Sequence, residues 1–240
     1  MSLLALDGAR RRRIHLLRHA EAAYFDAEGR RTGDSRIVAL TERGREQAAA
    51  MRALLAEVTL DAVVVSGLPR TVETADIVLE GRDLPRRTEP LLEEINSGRS
   101  MAELPPEQIL PDVAYAFFHA GRDTGRYRDG EHFEPFVRRC HDGIEKVLAW
   151  KDWDNLLLVA HGGVNRALLC WALGAPLAAF PVFEQDSCCL NIIDVDVTPD
   201  GDVVRRFIRA VNVTPYDVPK RQHHMTTLEG MARRMMAAPR

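Results

Sequence analysis

Three short apolar runs, each closed by polar residues and followed by a helical pattern, constrain the fold more than any other feature of the chain. The runs, with the residues that end them, are 13–18 with Arg18-His19, 61–67 with Ser66-Gly67, and 155–163 with His161-Gly162-Gly163. Short continuous apolar runs bounded by turn residues are typical of strands that are buried on both faces. The chain is therefore expected to build a sheet that is covered on both sides.

Helical spacing separates these runs. The predicted helices are 39–58, which Thr41 starts, 69–79, with Pro69 in its first turn, 133–153, and 164–174, which ends in glycine. Two further strands, 188–197 and 203–212, are joined by a Thr-Pro-Asp-Gly turn and predict an antiparallel hairpin. This alternation predicts an α/β three-layer sandwich, in which a mixed, mostly parallel sheet carries helices on both faces.

One long segment does not fit the alternation. Residues 96–131 carry three prolines, a Phe-Phe pair and several glycines, which predicts a partly helical insertion that serves as a lid. A Thr-x-x-Glu capping pattern at Thr226 and Glu229 predicts a helical tail over 222–238. The chain shows no repeat and no low-complexity linker, so we expect a single domain over 1–240.

Composition narrows the class of protein. With 32 basic and 35 acidic residues the net charge is −3, which argues against a nucleic-acid partner. No apolar run is long enough to span a membrane, and the N-terminus lacks the pattern of a secretory signal. Cys188 and Cys189 are adjacent and no disulfide spacing occurs, so reduced thiols and a cytoplasmic location are expected. The run 10–13 is expected to be a solvated flank. Oligomeric state stays open, a homo-oligomer included.

The polar strand ends point to one site. Ligands of α/β sheets bind beyond the carboxyl ends of parallel strands, so Arg18, His19 and His161 are expected to converge there with Arg70. The backbone at Gly162 begins a helix and can face an anion. Two guanidiniums, two imidazoles and a helix N-terminus favour a doubly charged oxyanion, and phosphate matches the planar fork of arginine. A small phosphorylated substrate is the expected partner.

The histidine within this cationic group suggests a reaction. Neighbouring cations lower the pKa of an imidazole, so His19 is expected to be neutral and able to attack phosphorus. The arginines can stabilise the charge that Mg²⁺ stabilises in kinases, so no metal and no cofactor are expected. The leaving oxygen needs a proton, and Glu94 is the candidate acid, although Glu93 is adjacent.

These residues resemble the histidine phosphatase superfamily, also called phosphoglycerate mutase-like. The motifs that carry the resemblance stand in the family's order as LLRHAEA, ALTERGREQA, SGLPRTVETA, LLEEINSG and VAHGGVNRALL. The resemblance implies that His19 is a phosphohistidine nucleophile, that Arg18, Arg70 and His161 bind phosphate, and that Glu94 is the proton donor. Three positions differ from the family pattern: Ala20 replaces a glycine, Phe25 an asparagine, and the segment 99–103 a Trp-Glu-Gly motif.

The expected activity is hydrolysis of a small phosphomonoester through phosphohistidine. One alternative is a phosphoglycerate mutase-type transfer, which needs a closed lid and basic groups for a carboxylate. The arginines of the insertion that could serve are Arg99, Arg122, Arg126 and Arg128. Another alternative is a module that binds a phospholigand without catalysis. The intact set of Arg18, His19, Arg70, Glu94 and His161 argues against it.

Overall fold

A six-stranded sheet organises the molecule. The computed structural model describes residues 8–26, 34–99, 104–118, 120–121, 125–221 and 224–237. Its main elements, in chain order, are β1 Arg10–Arg18, α1 Glu42–Leu54, β2 Ala62–Val65, α2 Pro69–Val78, β3 Arg86–Thr88, α3 Pro106–Ile109, α4 Phe133–Ala149, β4 Asn155–Ala160, α5 Gly162–Leu173, β5 Leu190–Val197, β6 Val203–Val213 and α6 Thr227–Ala237. The strand order across the sheet is β3-β2-β4-β1-β5-β6.

The strand directions make the sheet mixed. β1 pairs in parallel with β4, and β2 pairs in parallel with both β4 and β3. β5 and β6 run antiparallel and extend the sheet beyond β1. In register, Arg18 lies opposite Ala160, and Val65 lies opposite Val159. The carboxyl ends of β1, β2 and β4 therefore lie side by side at one end of the strands, and the polar residues that follow them meet there.

Two apolar cores lie on opposite faces of the sheet. The side chains of β1 alternate between them: Ile14 and Leu16 pack with the apolar residues of α4 and α5, whereas Leu17 packs with those of α1 and α2. Successive side chains of a strand point to opposite faces, so the apolar residues near the end of β1 contribute to both cores. The predicted three-layer α/β sandwich is confirmed.

Local signals at the helix ends match the structure. The Gly44 N–H donates to Thr41 Oγ1 (2.9 Å), which makes Thr41 the N-cap of α1. Gly174 follows α5 with φ of 66°, a left-handed conformation that glycine adopts without steric cost. Helices α1 and α4 are shorter than the predicted 39–58 and 133–153, whereas α5 begins two residues before the predicted start at 164. The short exposed strand β3 has no apolar pattern, so the sequence did not predict it.

The basic run 10–13 is not simply a solvated flank. Arg12 is 4% exposed, and it donates to the carbonyls of Leu148 (2.6 Å) and Trp153 (3.1 Å), where α4 ends. Its guanidinium carbon also lies 3.5 Å from the centroid of the Trp153 ring. Burial lowers the pKa of Arg12 to about 10, which still leaves it charged at neutral pH. A strand arginine thus satisfies helix carbonyls that have no partner within the helix.

The insertion and the C-terminal tail contact each other. Within 96–131, α3 continues into a π-helical turn at Leu110–Ala114, and α6 packs against this segment. The small apolar cluster between them is formed by the buried residues Ile109, Val113, Ala114 and Ala232. Parts of the predicted insertion (100–103, 119, 122–124) and tail (222–223, 238) lie outside the described residues. None of the described helices combines the length and the apolar character that a bilayer crossing needs.

The buried imidazole of His15 predicts a loss of stability in mild acid. Burial, with a smaller contribution from Arg13, lowers the pKa of His15 to about 4, so the folded protein keeps it neutral. The unfolded chain binds a proton near pH 6.5, and stability therefore falls as the pH drops below that value. From His15 alone we expect a loss of about 2 kcal/mol between pH 7 and pH 5. Urea unfolding at both pH values should show a smaller pH dependence for His15→Leu than for the wild type.

Candidate active site

His19 follows β1 directly and is held by backbone on both sides. Its N–H donates to the Ala160 carbonyl (3.0 Å), and its carbonyl accepts from the Cys188 N–H (3.1 Å). The side chain is 2% exposed, and Nδ1 lies 2.7 Å from the Ala20 carbonyl oxygen. A carbonyl can only accept, so Nδ1 carries the proton and Nε2 keeps its lone pair.

The surroundings of His19 keep its ring uncharged. Its pKa lies well below the ordinary value of 6.5, first because the ring is buried and then because Arg70 and Arg18 are close. The cationic neighbours expected from the sequence thus act in the predicted direction, although burial is the larger cause. At neutral pH the ring presents a free lone pair rather than a positive charge.

His161 follows β4 and lies against His19. The two ring centroids are 5.3 Å apart with the planes at 63°, and His161 is fully buried. Its Nε2 lies 2.8 Å from Ser66 Oγ, which in turn lies 3.1 Å from Thr71 Oγ1. The Thr71 hydroxyl donates to the Leu68 carbonyl (2.7 Å). Ser66 must therefore donate to Thr71, and His161 Nε2–H must donate to Ser66.

This hydrogen-bond chain determines which nitrogen of His161 remains available. Because the Nε2–H donates its hydrogen bond to Ser66, the ring's other nitrogen is Nδ1. This buried atom has no hydrogen-bond partner in the described part of the chain. Burial, followed by the charge of Arg70, keeps the pKa of His161 well below 6.5. An anion bound beside the ring would favour the protonated form, and Nδ1 would then become a donor. Ser66 directly follows β2, and the sequence analysis identified it only as a strand-ending residue, not as a hydrogen-bond partner of His161.

Two arginines border the histidines. Arg18 Nη1 donates to the Gln185 carbonyl (2.6 Å), and Arg70 Nη1 donates to the Ser35 carbonyl (3.0 Å). Both side chains are buried, and the Nε atom of each has no partner among the residues described. Each guanidinium is thus oriented by a carbonyl while further N–H groups remain available for an anion.

Gly162 begins α5 beside Arg18. A Cβ at this position would lie 3.5 Å from Arg18 Nε, so the backbone and the guanidinium face the same space. The Gly162 carbonyl accepts from Arg166 Nη1 (3.1 Å), and Arg166 Nη2 pairs with Glu184 (2.9 Å). Arg166 is buried, and no sequence pattern distinguishes it from other charged residues of a regular helix.

The two adjacent glutamates have different surroundings. Both carboxylate oxygens of Glu94 accept from the Gly163 N–H (3.1 Å each), and Oε1 also accepts from the Ile95 N–H (3.0 Å). Glu93 instead pairs with Arg36 (2.5 Å). Glu94 is therefore the glutamate that lies beside the His161-Gly162-Gly163 turn. The Gly163 N–H, next to the Gly162 backbone that was expected to face an anion, donates to this carboxylate.

The insertion arginines of the mutase alternative are dispersed. Arg99 contacts Asp129 and Asp112, and Arg126 is exposed and donates to the Gly130 carbonyl. Arg128 is 6% exposed, and its Nε and Nη2 atoms have no partner in the described ranges. Arg122 lies outside the described residues. Within the described ranges, no three His, Cys, Asp or Glu side chains come together in a way that could hold a metal ion.

The arrangement combines the groups that phosphoryl transfer needs. An uncharged imidazole with a free Nε2 lies among two arginines and a second histidine, and a carboxylate is fixed at the same strand edge. The cations can neutralise a phosphoryl group, the imidazole can attack phosphorus, and the carboxyl group can exchange a proton.

Comparison with known proteins identifies the family. A family model described as histidine phosphatase superfamily (branch 1) matches residues 14–207. An adenosylcobalamin/alpha-ribazole phosphatase of Salmonella typhimurium is 33% identical over 187 residues, which cover 76% of this chain and 90% of that protein. The alpha-ribazole phosphatase of Shigella flexneri (28% identity, 83% of this chain and 96% of that one) has a TM-score of 0.67. A mycobacterial glucosyl-3-phosphoglycerate phosphatase (26% identity, 85% and 99%) has a TM-score of 0.69. The chain belongs to the histidine phosphatase superfamily.

Proposed function

We propose that the protein hydrolyses a small phosphomonoester through a phosphohistidine intermediate on His19. The observation that carries this proposal is the state of the His19 ring: buried, uncharged, and bound at Nδ1 by the Ala20 carbonyl. This state leaves Nε2 as a nucleophile in a fixed direction. The phosphatase activities of the relatives support the same reaction class.

The first half-reaction forms the phosphoenzyme. His19 Nε2 attacks phosphorus, an N–P bond forms, and the bond from phosphorus to the ester oxygen breaks. The protonated carboxyl group of Glu94 gives its proton to the departing oxygen, so an alcohol leaves rather than an alkoxide. Arg18, Arg70 and His161 bind the oxygens of the transferred group and stabilise their charge.

The second half-reaction returns the enzyme to its starting state. A water molecule attacks the phosphorus of phosphohistidine, and the N–P bond breaks. The Glu94 carboxylate accepts a proton from that water, and inorganic phosphate leaves. The proposal includes no metal, because the arginines supply the charge stabilisation.

Similarity to the relatives suggests where to look for the substrate. The Salmonella typhimurium relative is named as an adenosylcobalamin/alpha-ribazole phosphatase. The Triticum aestivum relative, 25% identical over 225 residues, is named as a 2-carboxy-D-arabinitol-1-phosphatase. We propose a small phosphorylated metabolite as the substrate, and a panel of such esters should include alpha-ribazole phosphate and sugar-acid phosphates.

Mutase-type transfer is the second candidate, and Arg128 is the observation that favours it. This buried guanidinium, with two nitrogens that have no partner among the described residues, offers a binding group for a carboxylate on the substrate. Relatives named as probable phosphoglycerate mutases, 26–28% identical to this chain, support keeping this alternative. Isomerisation of 3-phosphoglycerate without release of phosphate would decide for the mutase.

The central test is the His19→Ala variant. Without the imidazole no phosphoenzyme forms, so we expect hydrolysis of p-nitrophenyl phosphate to fall by at least about 10³-fold. Rapid acid quench of the wild type with ³²P-labelled substrate should trap label that is stable in alkali and labile in acid. His132→Ala, at an exposed histidine that starts α4, serves as the matched control and should keep full activity.

Two outcomes would count against the phosphohistidine mechanism. One is substantial turnover by purified His19→Ala. The other is binding of inorganic phosphate by the wild type with no hydrolysis across the whole panel, which would favour the phospholigand-binding module.

A second prediction concerns Gly163. A Cβ there would lie 2.4 Å from Glu94 Oε1, so alanine must displace the carboxylate. We expect kcat/KM of Gly163→Ala to fall by about tenfold or more for an ester with a poor leaving group. Gly230→Ala is the matched control, since a Cβ at this helical glycine meets nothing within 4 Å. Equal kcat/KM values for Gly163→Ala and the wild type would show that the contact with Glu94 has no role in turnover.

A further inference from the structure

A single arginine on α4 collects the backbone carbonyls around Glu94. Arg139 Nη1 donates to the carbonyls of Leu91 (2.7 Å) and Glu93 (2.8 Å), and Nη2 donates to the Glu94 carbonyl (3.2 Å). Leu91 lies within the 3₁₀ turn at Pro90–Leu92, and Glu93 and Glu94 follow it directly. Arg139 is 48 to 45 residues away in sequence, so the contact is purely tertiary.

The other side of the same guanidinium binds Glu131. Arg139 Nε lies 2.8 Å from Glu131 Oε1, and Nη2 lies 2.9 Å from Oε2, which is the bidentate geometry of a strong charged pair. Glu131 Oε2 also accepts from the Asn96 N–H (3.0 Å), and the Glu131 N–H donates to the Asn96 carbonyl (2.9 Å). Glu94 therefore lies between two held points of the backbone. On its N-terminal side, carbonyls are hydrogen-bonded to Arg139 of α4, and on its C-terminal side, Asn96 is hydrogen-bonded to Glu131.

The packing of α4 brings this arginine close to the turn. A Cβ at Gly143 would lie 2.8 Å from Leu92 Cδ2, so glycine at this position lets the helix approach the 3₁₀ turn. Arg139 lies one helical turn before Gly143 on α4, and its guanidinium stacks near the Phe136 ring (4.8 Å to the centroid). The side chains of Arg139 and Glu131 are only 20% and 17% exposed, so solvent screens their interaction weakly.

The carboxylate of Glu94 is held by a different helix from the one that holds its backbone. Its oxygens accept from the Gly163 N–H at the start of α5, while its own carbonyl accepts from Arg139 on α4. The backbone and the side chain of one residue are thus held by two different helices. An acid that protonates a departing oxygen must lie within hydrogen-bond reach of it, so freedom in this segment would reduce proton transfer.

We infer that Arg139 is a positioning residue for the catalytic acid: its guanidinium, held by Glu131, fixes the 91–94 backbone so that the Glu94 carboxyl group meets the leaving oxygen. The inference rests on the proposed function, in which Glu94 is that acid. A lysine cannot replace this arginine, because a single ammonium lacks the planar fork that reaches the separate carbonyls and both carboxylate oxygens.

The test measures how kcat/KM depends on the leaving group. The substrates are substituted phenyl phosphates, from p-nitrophenyl phosphate, whose leaving group needs little protonation, to phenyl phosphate, whose leaving group needs more. The variants are Arg139→Met, Arg139→Lys and Glu131→Gln, with Arg138→Met as the matched control at the exposed neighbouring arginine of the same helix. Thermal unfolding and the inhibition constant of inorganic phosphate report whether each variant is folded with its phosphate site intact.

The expected result is a loss that grows with the basicity of the leaving group. Arg139→Met and Arg139→Lys should lose about tenfold more kcat/KM on phenyl phosphate than on p-nitrophenyl phosphate, since general-acid catalysis contributes most where the leaving group is poor. Glu131→Gln should change kcat/KM in the same direction by a smaller factor. Inhibition by inorganic phosphate should stay within about twofold of the wild type, because Arg139 touches none of the groups proposed to bind it.

The Glu94→Gln variant distinguishes failure of the acid role proposed for Glu94 from failure of the positioning role inferred for Arg139. If Glu94→Gln steepens the leaving-group dependence and Arg139→Met adds no further steepening in that background, Arg139 acts through Glu94. If Glu94→Gln steepens the dependence while folded Arg139→Lys and Glu131→Gln follow the wild type, the positioning role is overturned. If Glu94→Gln itself leaves the dependence unchanged, the acid assignment in the proposed function fails, and the inference fails with it.

Discussion

The parallel pairing of β1 with β4 is the constraint on which the candidate site depends. The ladder ends with Arg18 opposite Ala160, and the His19 N–H continues it by donating to the Ala160 carbonyl. The residues after the two strands, His19 and His161, are thereby placed side by side. A shift of one residue in this register would send every β1 side chain to the other face of the sheet and would separate the rings. The apolar residues that fix the register therefore also fix the distance between the two imidazoles.

The electrostatics of the site follow from the burial of two positively charged side chains that have no negatively charged partner in the described ranges. Arg18 and Arg70 are buried, and among the described residues each guanidinium is oriented by a backbone carbonyl rather than by a carboxylate. A carboxylate partner would neutralise each arginine and compete with an anionic ligand. The uncharged rings of His19 and His161 avoid adding two more positive charges to the same space. In the proposed reaction, a phosphoryl group would bring negative charge next to these two guanidiniums.

The sequence predicted the parts of the fold and site that depend on local patterns. Apolar runs located the central strands, Thr41 and Gly174 marked helix ends, and the polar strand ends indicated which side chains come together beyond those strands. Glu94 was the candidate acid before the family resemblance was considered, and the resemblance implies the same residue, although Glu93 is adjacent. The structure distinguishes them by their partners, Gly163 and Arg36.

Side chains that bind partners far away in the sequence, most of them backbone carbonyls, were not predictable in this way. Arg12 binds the end of α4, Arg139 binds the turn before Glu94, and Ser66 binds His161. An arginine that will serve carbonyls more than forty residues away looks like any other charged residue on its strand or helix. Only the tertiary fold shows which carbonyls lack partners and which guanidinium can reach them.

The contact between α6 and the α3 segment links two regions that are far apart in sequence. Ala232 is fully buried against Ile109 and Val113, so each region supplies part of the other's small apolar interior. Neither segment has a comparable core of its own within the described residues. Insertions and terminal extensions usually diverge independently among related chains, because each tolerates change at the surface. Here a change in the size of one buried side chain must be matched across the contact, so the two segments are expected to vary together during evolution.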